Sequence, residues 1–274
     1  MPSGDADDLE LVAFAHTLAD VAARETLPRF RQKLDVVNKS SAQGSIFDPV
    51  TEADRAAERR MTDAIVTRWP AHGIFGEEYG ATNKGAKFEW VLDPIDGTRA
   101  FICGAPTWGT LIGLTENGVA RIGMMDQPFT RERFWADRSG AHMRSGRDAA
   151  TSLSTSGCAR LADALVTSTS PALFADGPDR VAFGMVAERA RQVRYGLDCY
   201  GYCLLALGTI DLVVEAGLSA YDVVALIPII EQAGGVITTW EGGRPEAGGR
   251  IVAAATAELH REALGLLSRV TARE

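Results

Sequence analysis

Residues 89–104 read "EWVLDPIDGTRAFICG". Trp90, Val91 and Leu92 form an apolar run that reads as the end of a buried strand, and it leads directly into Asp93-Pro94-Ile95-Asp96-Gly97-Thr98. Carboxylates at the end of a core strand are costly unless positive charge compensates them. Pro94 fixes the turn, and Gly97 lets backbone come close to a ligand. Hard divalent cations such as Mg²⁺ take carboxylate and carbonyl oxygens, and this turn offers Asp93, Asp96 and the Ile95 carbonyl. The pattern predicts a strand that ends in a metal cage. Gly97-Thr98 then opens Arg99-Ala100-Phe101, read as a helix start whose unpaired N–H groups suit phosphate. Metal and anion donors so close together point to phosphoryl chemistry.

Two further acidic clusters flank this one. Gly76-Glu77-Glu78 follows the short strand Ile74-Phe75, and Tyr221-Asp222 opens an apolar helix. Alone, Gly-Glu-Glu reads as a solvated loop and Asp222 as a helix N-cap. Together with Asp93 and Asp96 they fall where α/β proteins collect site residues, at strand ends and helix starts.

Around these clusters the chain changes character twice. Residues 8 to 34 read as mostly helix, kinked near Pro28. Thr51-x-x-Asp54 resembles a capped start for a second helix, which Pro70 stops. His16 on the first helix reads as a satisfied packing residue rather than a ligand. From 72 to 144 the pattern is short strands, with a hairpin at Glu116-Asn117-Gly118. The Ser/Thr/Gly-rich stretch 150–158 reads either as a surface loop or as a boundary between an N-terminal half, 1–150, and a C-terminal half, 151–274, of one structural unit. Beyond it, strands near 164–169, 192–195, 210–215, 236–240 and 251–254 alternate with helices near 178–191, 199–207, 221–233 and after Thr256. Such alternation implies sheets covered by helix layers.

The 274 residues carry 46% hydrophobic and 23% charged side chains and a net charge of −8, which argues against nonspecific binding to nucleic acid or anionic membrane. No apolar run approaches the roughly 20 residues of a membrane span. The acidic opening "MPSGDADDLELVAF" lacks the basic region and apolar core of a secretory signal, so the cytoplasm is the expected location. Cys199 and Cys203 stand one helical turn apart, which suits core packing better than a metal or redox pair.

The motifs "GEEYG", "WVLDPIDGTRAF" and "YDVVALIPIIEQAGG", with "DPVTEADRAAE" before them, resemble the inositol monophosphatase family over essentially the whole chain. "DGTRAFICG" and residues 194–231 look most like its histidinol-phosphatase branch. The resemblance implies a layered αβαβα sandwich, a homodimer, and a phosphomonoesterase that uses two or three Mg²⁺ ions per subunit on a small phosphorylated substrate. It assigns metal binding to Glu77, Asp93, the Ile95 carbonyl, Asp96 and Asp222, with Asp48 acting through water. Glu77 and Thr98 would orient the attacking water, and Gly97 and Thr98 would hold the phosphate. Gly196, Leu197, Asp198 and Glu215 would meet the alcohol part of the substrate, beside Asp96 and Asp222. Tyr221 departs from the tryptophan usual in the family but keeps an aromatic platform.

Asp198 stands where inositol-directed relatives usually have a small residue. Paired with a cationic amine it would favour histidinol phosphate over inositol phosphate; the alternative is that it caps the helix starting near Cys199. A broad inositol-type phosphatase, a bisphosphate nucleotidase and a non-catalytic binding protein are the competing functions. The last predicts eroded ligands, whereas every expected carboxylate and Thr98 is present.

Overall fold

The computed structural model describes residues 8–33, 36–38, 49–174 and 177–271. Helix α1 (Asp8–Thr26) turns Leu11, Ala15, Leu18, Ala19 and Ala22 inward at helical spacing. It ends well before residue 34. Pro28 has no N–H to continue the ladder, so Leu27–Arg29 tighten into a 3₁₀ turn and Phe30 is extended. His16 on this helix takes a hydrogen bond from Arg133 Nη1 to its Nδ1 (3.2 Å) and packs edge-on to Trp135, as a packing residue should.

Strands β1 (Val36–Asn38) and β2 (Pro49–Thr51) pair antiparallel and lead into α2 (Glu52–Arg68). The expected cap is present: Thr51 Oγ1 accepts the Ala53 N–H at 3.1 Å, and Asp54 Oδ2 accepts the Thr51 N–H at 2.8 Å. Then come β3 (Gly73–Gly76), β4 (Gly80–Thr82), β5 (Phe88–Asp96), α3 (Thr98–Cys103), β6 (Gly109–Glu116), β7 (Val119–Gln127), β8 (Glu132–Asp137), β9 (Gly140–Ser145) and β10 (Thr151–Ser152). The β6–β7 hairpin turns on Asn117 (φ 53°) and Gly118 (φ 79°), as the sequence predicts. The rest is β11 (Leu165–Ser168), α4 (Pro178–Ala187), β12 (Gln192–Tyr195), α5 (Asp198–Ala206), β13 (Leu212–Leu218), α6 (Ala220–Val223), α7 (Leu226–Gln232), β14 (Val236–Thr239), β15 (Gly249–Ala254) and α8 (Ala257–Thr271). The helix expected over 221–233 is thus two helices, α6 and α7.

Among the described residues an eight-stranded sheet runs β10-β9-β8-β7-β6-β5-β3-β4, and a five-stranded sheet runs β12-β11-β13-β15-β14. Helices α1 and α2 cover one face of the larger sheet, burying Met61, Ile65, Trp90, Leu92 and Ile112. Its other face meets α5 and α7, whose Cys203, Leu205, Ile227 and Ile230 also pack on Val213 and Ala253 of the smaller sheet. Beyond that sheet α4 and α8 bury Phe183, Val186, Leu259 and Ala263. The order is helix, sheet, helix, sheet, helix: the expected αβαβα sandwich. Cys199 and Cys203 lie in its middle layer as core residues.

One detail of this packing reaches the site. Gly113 and Gly123 are cross-strand partners in β6 and β7. A Cβ on Gly123 would fall 1.9 Å from the Ala225 carbonyl oxygen, and one on Gly113 2.7 Å from Val224 Cγ1. The two glycines form a notch that admits the link between α6 and α7, which brings α6 onto β5.

Candidate metal centre and active site

Asp93 and Asp96 are three residues apart, so a regular strand would point them to opposite faces. The register of β5 against β6 shifts between these two residues. Pro94 cannot donate to the ladder, and its carbonyl instead accepts the Thr110 hydroxyl at 2.8 Å. The Ile95 N–H folds back to Asp93 Oδ1 at 3.0 Å. This bulge re-aims the pair toward a common point. The strand therefore does not stop at Leu92 as its sequence suggests; it continues irregularly to Asp96.

Asp222 arrives from α6. Its carboxylate accepts the Ser219 N–H at 2.6 Å as the third residue of a capping box, not as the N-cap itself. Oxygens of Asp93, Asp96 and Asp222 all lie within 4.8 Å of one another. Glu77 stands beside them, its N–H bonded to the Leu92 carbonyl at 3.2 Å. Burial, then Glu77, Asp96 and Asp222, push the Asp93 carboxyl well above its ordinary range. Burial and then Asp222 and Asp198 do the same to Asp96. Converging hard oxygens that repel one another fit a hard divalent cation, whose charge relieves the repulsion.

The adjoining turn is built for close approach. Gly97 takes φ 82° and starts α3, as expected. The Thr98 hydroxyl donates to the Ile95 carbonyl at 3.0 Å. Asp96 Oδ2 accepts the Cys199 N–H at 2.7 Å, tying β5 to the start of α5. No side chain caps α5 at Leu197, and Asp198 is the first residue of the helix rather than its cap. Asp198 adopts φ 47° instead. A Cβ on Gly97 would lie 3.1 Å from Asp198 Cβ, so this carboxylate packs against the turn.

Next to it opens a cavity of about 510 Å³ lined by Arg99, Ala100, Cys103, Leu173, Gly196 and Asp198 among others. Burial pushes the Asp198 carboxyl up to about 6, with Arg99 opposing. Leu197 packs against the middle-layer core instead. Glu215 is also away from the cavity wall and fully buried, with Oε1 accepting the Thr169 N–H at 2.6 Å. Burial pushes the Glu215 carboxyl up to about 8 against that bond. Tyr221 packs on Phe75 at 5.9 Å between ring centroids, so the aromatic platform is kept. Asp48 lies outside the described residues. Arg99 escaped the sequence reading of substrate contacts, although its place directly after Gly97-Thr98 was a signal.

The family model for inositol monophosphatases matches residues 7–272. The chain belongs to the inositol monophosphatase family. This is a family of metal-dependent phosphatases. The chain is 41% identical over 272 residues to the chloroplastic bifunctional phosphatase IMPL2 of Arabidopsis thaliana, covering 94% of this chain and 75% of that one. It is 35% identical to the histidinol-phosphatase of Mycobacterium tuberculosis, over 96% of this chain and 98% of the relative. A solved inositol monophosphatase from Zymomonas mobilis superposes with TM-score 0.84 at 38% identity, covering 96% of this chain and 100% of that one.

Proposed function

We propose that this family member is a Mg²⁺-dependent phosphomonoesterase that hydrolyses L-histidinol phosphate to L-histidinol and phosphate in histidine biosynthesis. The observation that carries the substrate is Asp198, an acid held beside the Gly97 turn at the mouth of the cavity. Its carboxyl is pushed up to about 6 although Arg99 stands near, so Arg99 does not offset the cost of burial. A substrate ammonium would supply the missing positive charge. Likeness to the Mycobacterium tuberculosis histidinol-phosphatase supports the same substrate.

In this reading Glu77, Asp93, the Ile95 carbonyl, Asp96 and Asp222 hold the cations, two or three per subunit, with Asp48 acting through water. When bound, such cations supply charge neutralisation at the phosphate and leaving oxygens and acidify water. Glu77 and Thr98 orient a water for in-line attack on phosphorus. The Gly97 and Thr98 backbone holds the phosphate, while Gly196 and Asp198 bound the alcohol. Glu215 supports that wall from behind. Positioning and electrostatics carry the reaction, with no covalent enzyme intermediate. The family resemblance further supports a homodimer.

Asp198→Asn keeps size and deletes charge. Losing one partly desolvated ion pair costs roughly 1 to 3 kcal/mol, so kcat/KM for histidinol phosphate should fall about 5- to 150-fold. Inositol 1-phosphate, which has no amine, should be hydrolysed as before. Equal losses on both esters, or none on either, would make Asp198 structural. That result would favour the second reading, an inositol-type phosphatase, which the Zymomonas mobilis structure supports.

A further inference from the structure

Glu58 is 1% exposed on α2 and has no part in the reaction described above. It carries its carboxylate across to the loop after β3. Oε2 accepts the Glu78 N–H at 2.8 Å, and Oε1 accepts the Tyr79 N–H at 3.0 Å. On the other side of the same loop, the Glu77 N–H bonds the Leu92 carbonyl of β5 at 3.2 Å. Glu77 is therefore held between a strand that carries Asp93 and a helix that carries Glu58. The fit leaves no room for another side chain: a Cβ on Gly76 would lie 1.9 Å from Glu58 Oε1 and 2.3 Å from its Cδ. This explains the glycine of Gly-Glu-Glu at a position where φ is unexceptional.

A buried carboxylate near Glu77 and Glu78 carries repulsion and desolvation cost. What the carboxylate offers is two strong, directional, charge-assisted bonds to successive N–H groups. Groups that orient a metal ligand in this way tune affinity by about 10- to 100-fold.

We propose that Glu58 is a positioning residue for the metal centre, gripping the Glu78 and Tyr79 N–H groups so that the Glu77 carboxylate is aimed beside Asp93. The inference rests on the reading of Glu77 as a metal ligand. Glu58 itself touches neither cation nor substrate.

The test is Mg²⁺ binding by titration calorimetry on the substrate-free full chain, alongside melting temperature in chelator. Glu58→Gln keeps one acceptor and turns an amide N–H toward a backbone N–H; Glu58→Met keeps the volume without either bond and serves if the first variant fails to fold. Either should weaken Mg²⁺ by about 10- to 100-fold. At saturating Mg²⁺, KM for a phosphate ester should stay within twofold of wild type. Gly76→Ala must displace Glu58 and should reproduce the loss, and the double variant should be no worse than the weaker-binding single. Ile65→Val, on the same helix, should lower the melting temperature and leave Mg²⁺ affinity unchanged. Mg²⁺ bound equally well by wild type and the Glu58 variants, or a loss shared by Ile65→Val, would overturn the clamp alone. A wild type that binds no Mg²⁺ would overturn the metal reading and the clamp together.

Discussion

The Thr98 hydroxyl gives its proton to the Ile95 carbonyl, which leaves its lone pairs to accept from an incoming water. Thr98→Ala removes one partly buried hydrogen bond, worth about 1 kcal/mol of stability. If the hydroxyl orients the nucleophile, kcat should fall by at least about 10²-fold while KM and the melting temperature change little. A kcat within a few-fold of wild type would leave Thr98 a purely structural residue. Single residues of this motif were readable because residue type and spacing alone imply hard-cation chemistry. Asp198 was harder. Its backbone sits at φ 47°, and the N–H of its neighbour Cys199 bonds Asp96 from far earlier in the chain. Neither fact follows from local spacing. The nearness of Asp198 to Arg99 along the cavity wall likewise arises only in the fold.

Secondary structure followed its local chemistry where that chemistry was complete. The Thr51 capping box, the Asn117-Gly118 hairpin and the Thr256 cap, whose Oγ1 accepts the Leu259 N–H at 3.2 Å, were all evident from the chain. Elements that depend on a distant partner were not. The β5 bulge needs Thr110 to receive Pro94, β4 needs β3, and the break between α6 and α7 needs the notch of Gly113 and Gly123. That notch carries a prediction. Gly123→Ala must push the Ala225 carbonyl outward, and α6 with Asp222 moves with it. Overpacking of this kind costs about 1–3 kcal/mol, and Mg²⁺ affinity should fall as well. Gly184→Ala in α4, where a Cβ meets nothing within 4 Å, should raise the melting temperature and leave Mg²⁺ binding alone. A Gly123→Ala protein with wild-type Mg²⁺ affinity would show that Asp222 does not depend on the notch.

Taken together, the three clustered aspartates come from both parts of the sandwich: Asp93 and Asp96 from the larger sheet, Asp222 from the helix after β13. Such a site exists only in the folded chain, so Mg²⁺ should stabilise it by linkage. At 100 times the dissociation constant the gain is about 2.7 kcal/mol, or about 5–10 °C for a chain of this size. The pH dependence has a definite sign. Asp93, Asp96 and Glu215 have raised carboxyl pKa values, the last near 8, so the unfolded chain ionises first and stability falls as pH rises from about 4.5 through 8. His16 works the other way: burial and Arg133 lower it to about 4, so its contribution grows up to pH 6.5 and is complete above that. Between pH 7 and 8 only the falling branch remains among these groups. The melting temperature in chelator should decline across that interval, and excess Mg²⁺ should flatten the decline by relieving the aspartates. Superimposable melting curves with chelator and with Mg²⁺ would exclude a cation at this site.

The middle layer of helices has a consequence for how the chain is made. Every strand of the larger sheet has been synthesised by residue 152, yet among the described residues the face bearing Leu111, Met125 and Phe134 packs on α5 and α7, which come later. During that interval the newborn sheet carries an uncovered apolar surface on one side and unneutralised aspartates at one end. The remainder of the chain supplies both the cover and the third aspartate. Birth order thus makes the second half of this molecule the chaperone of the first.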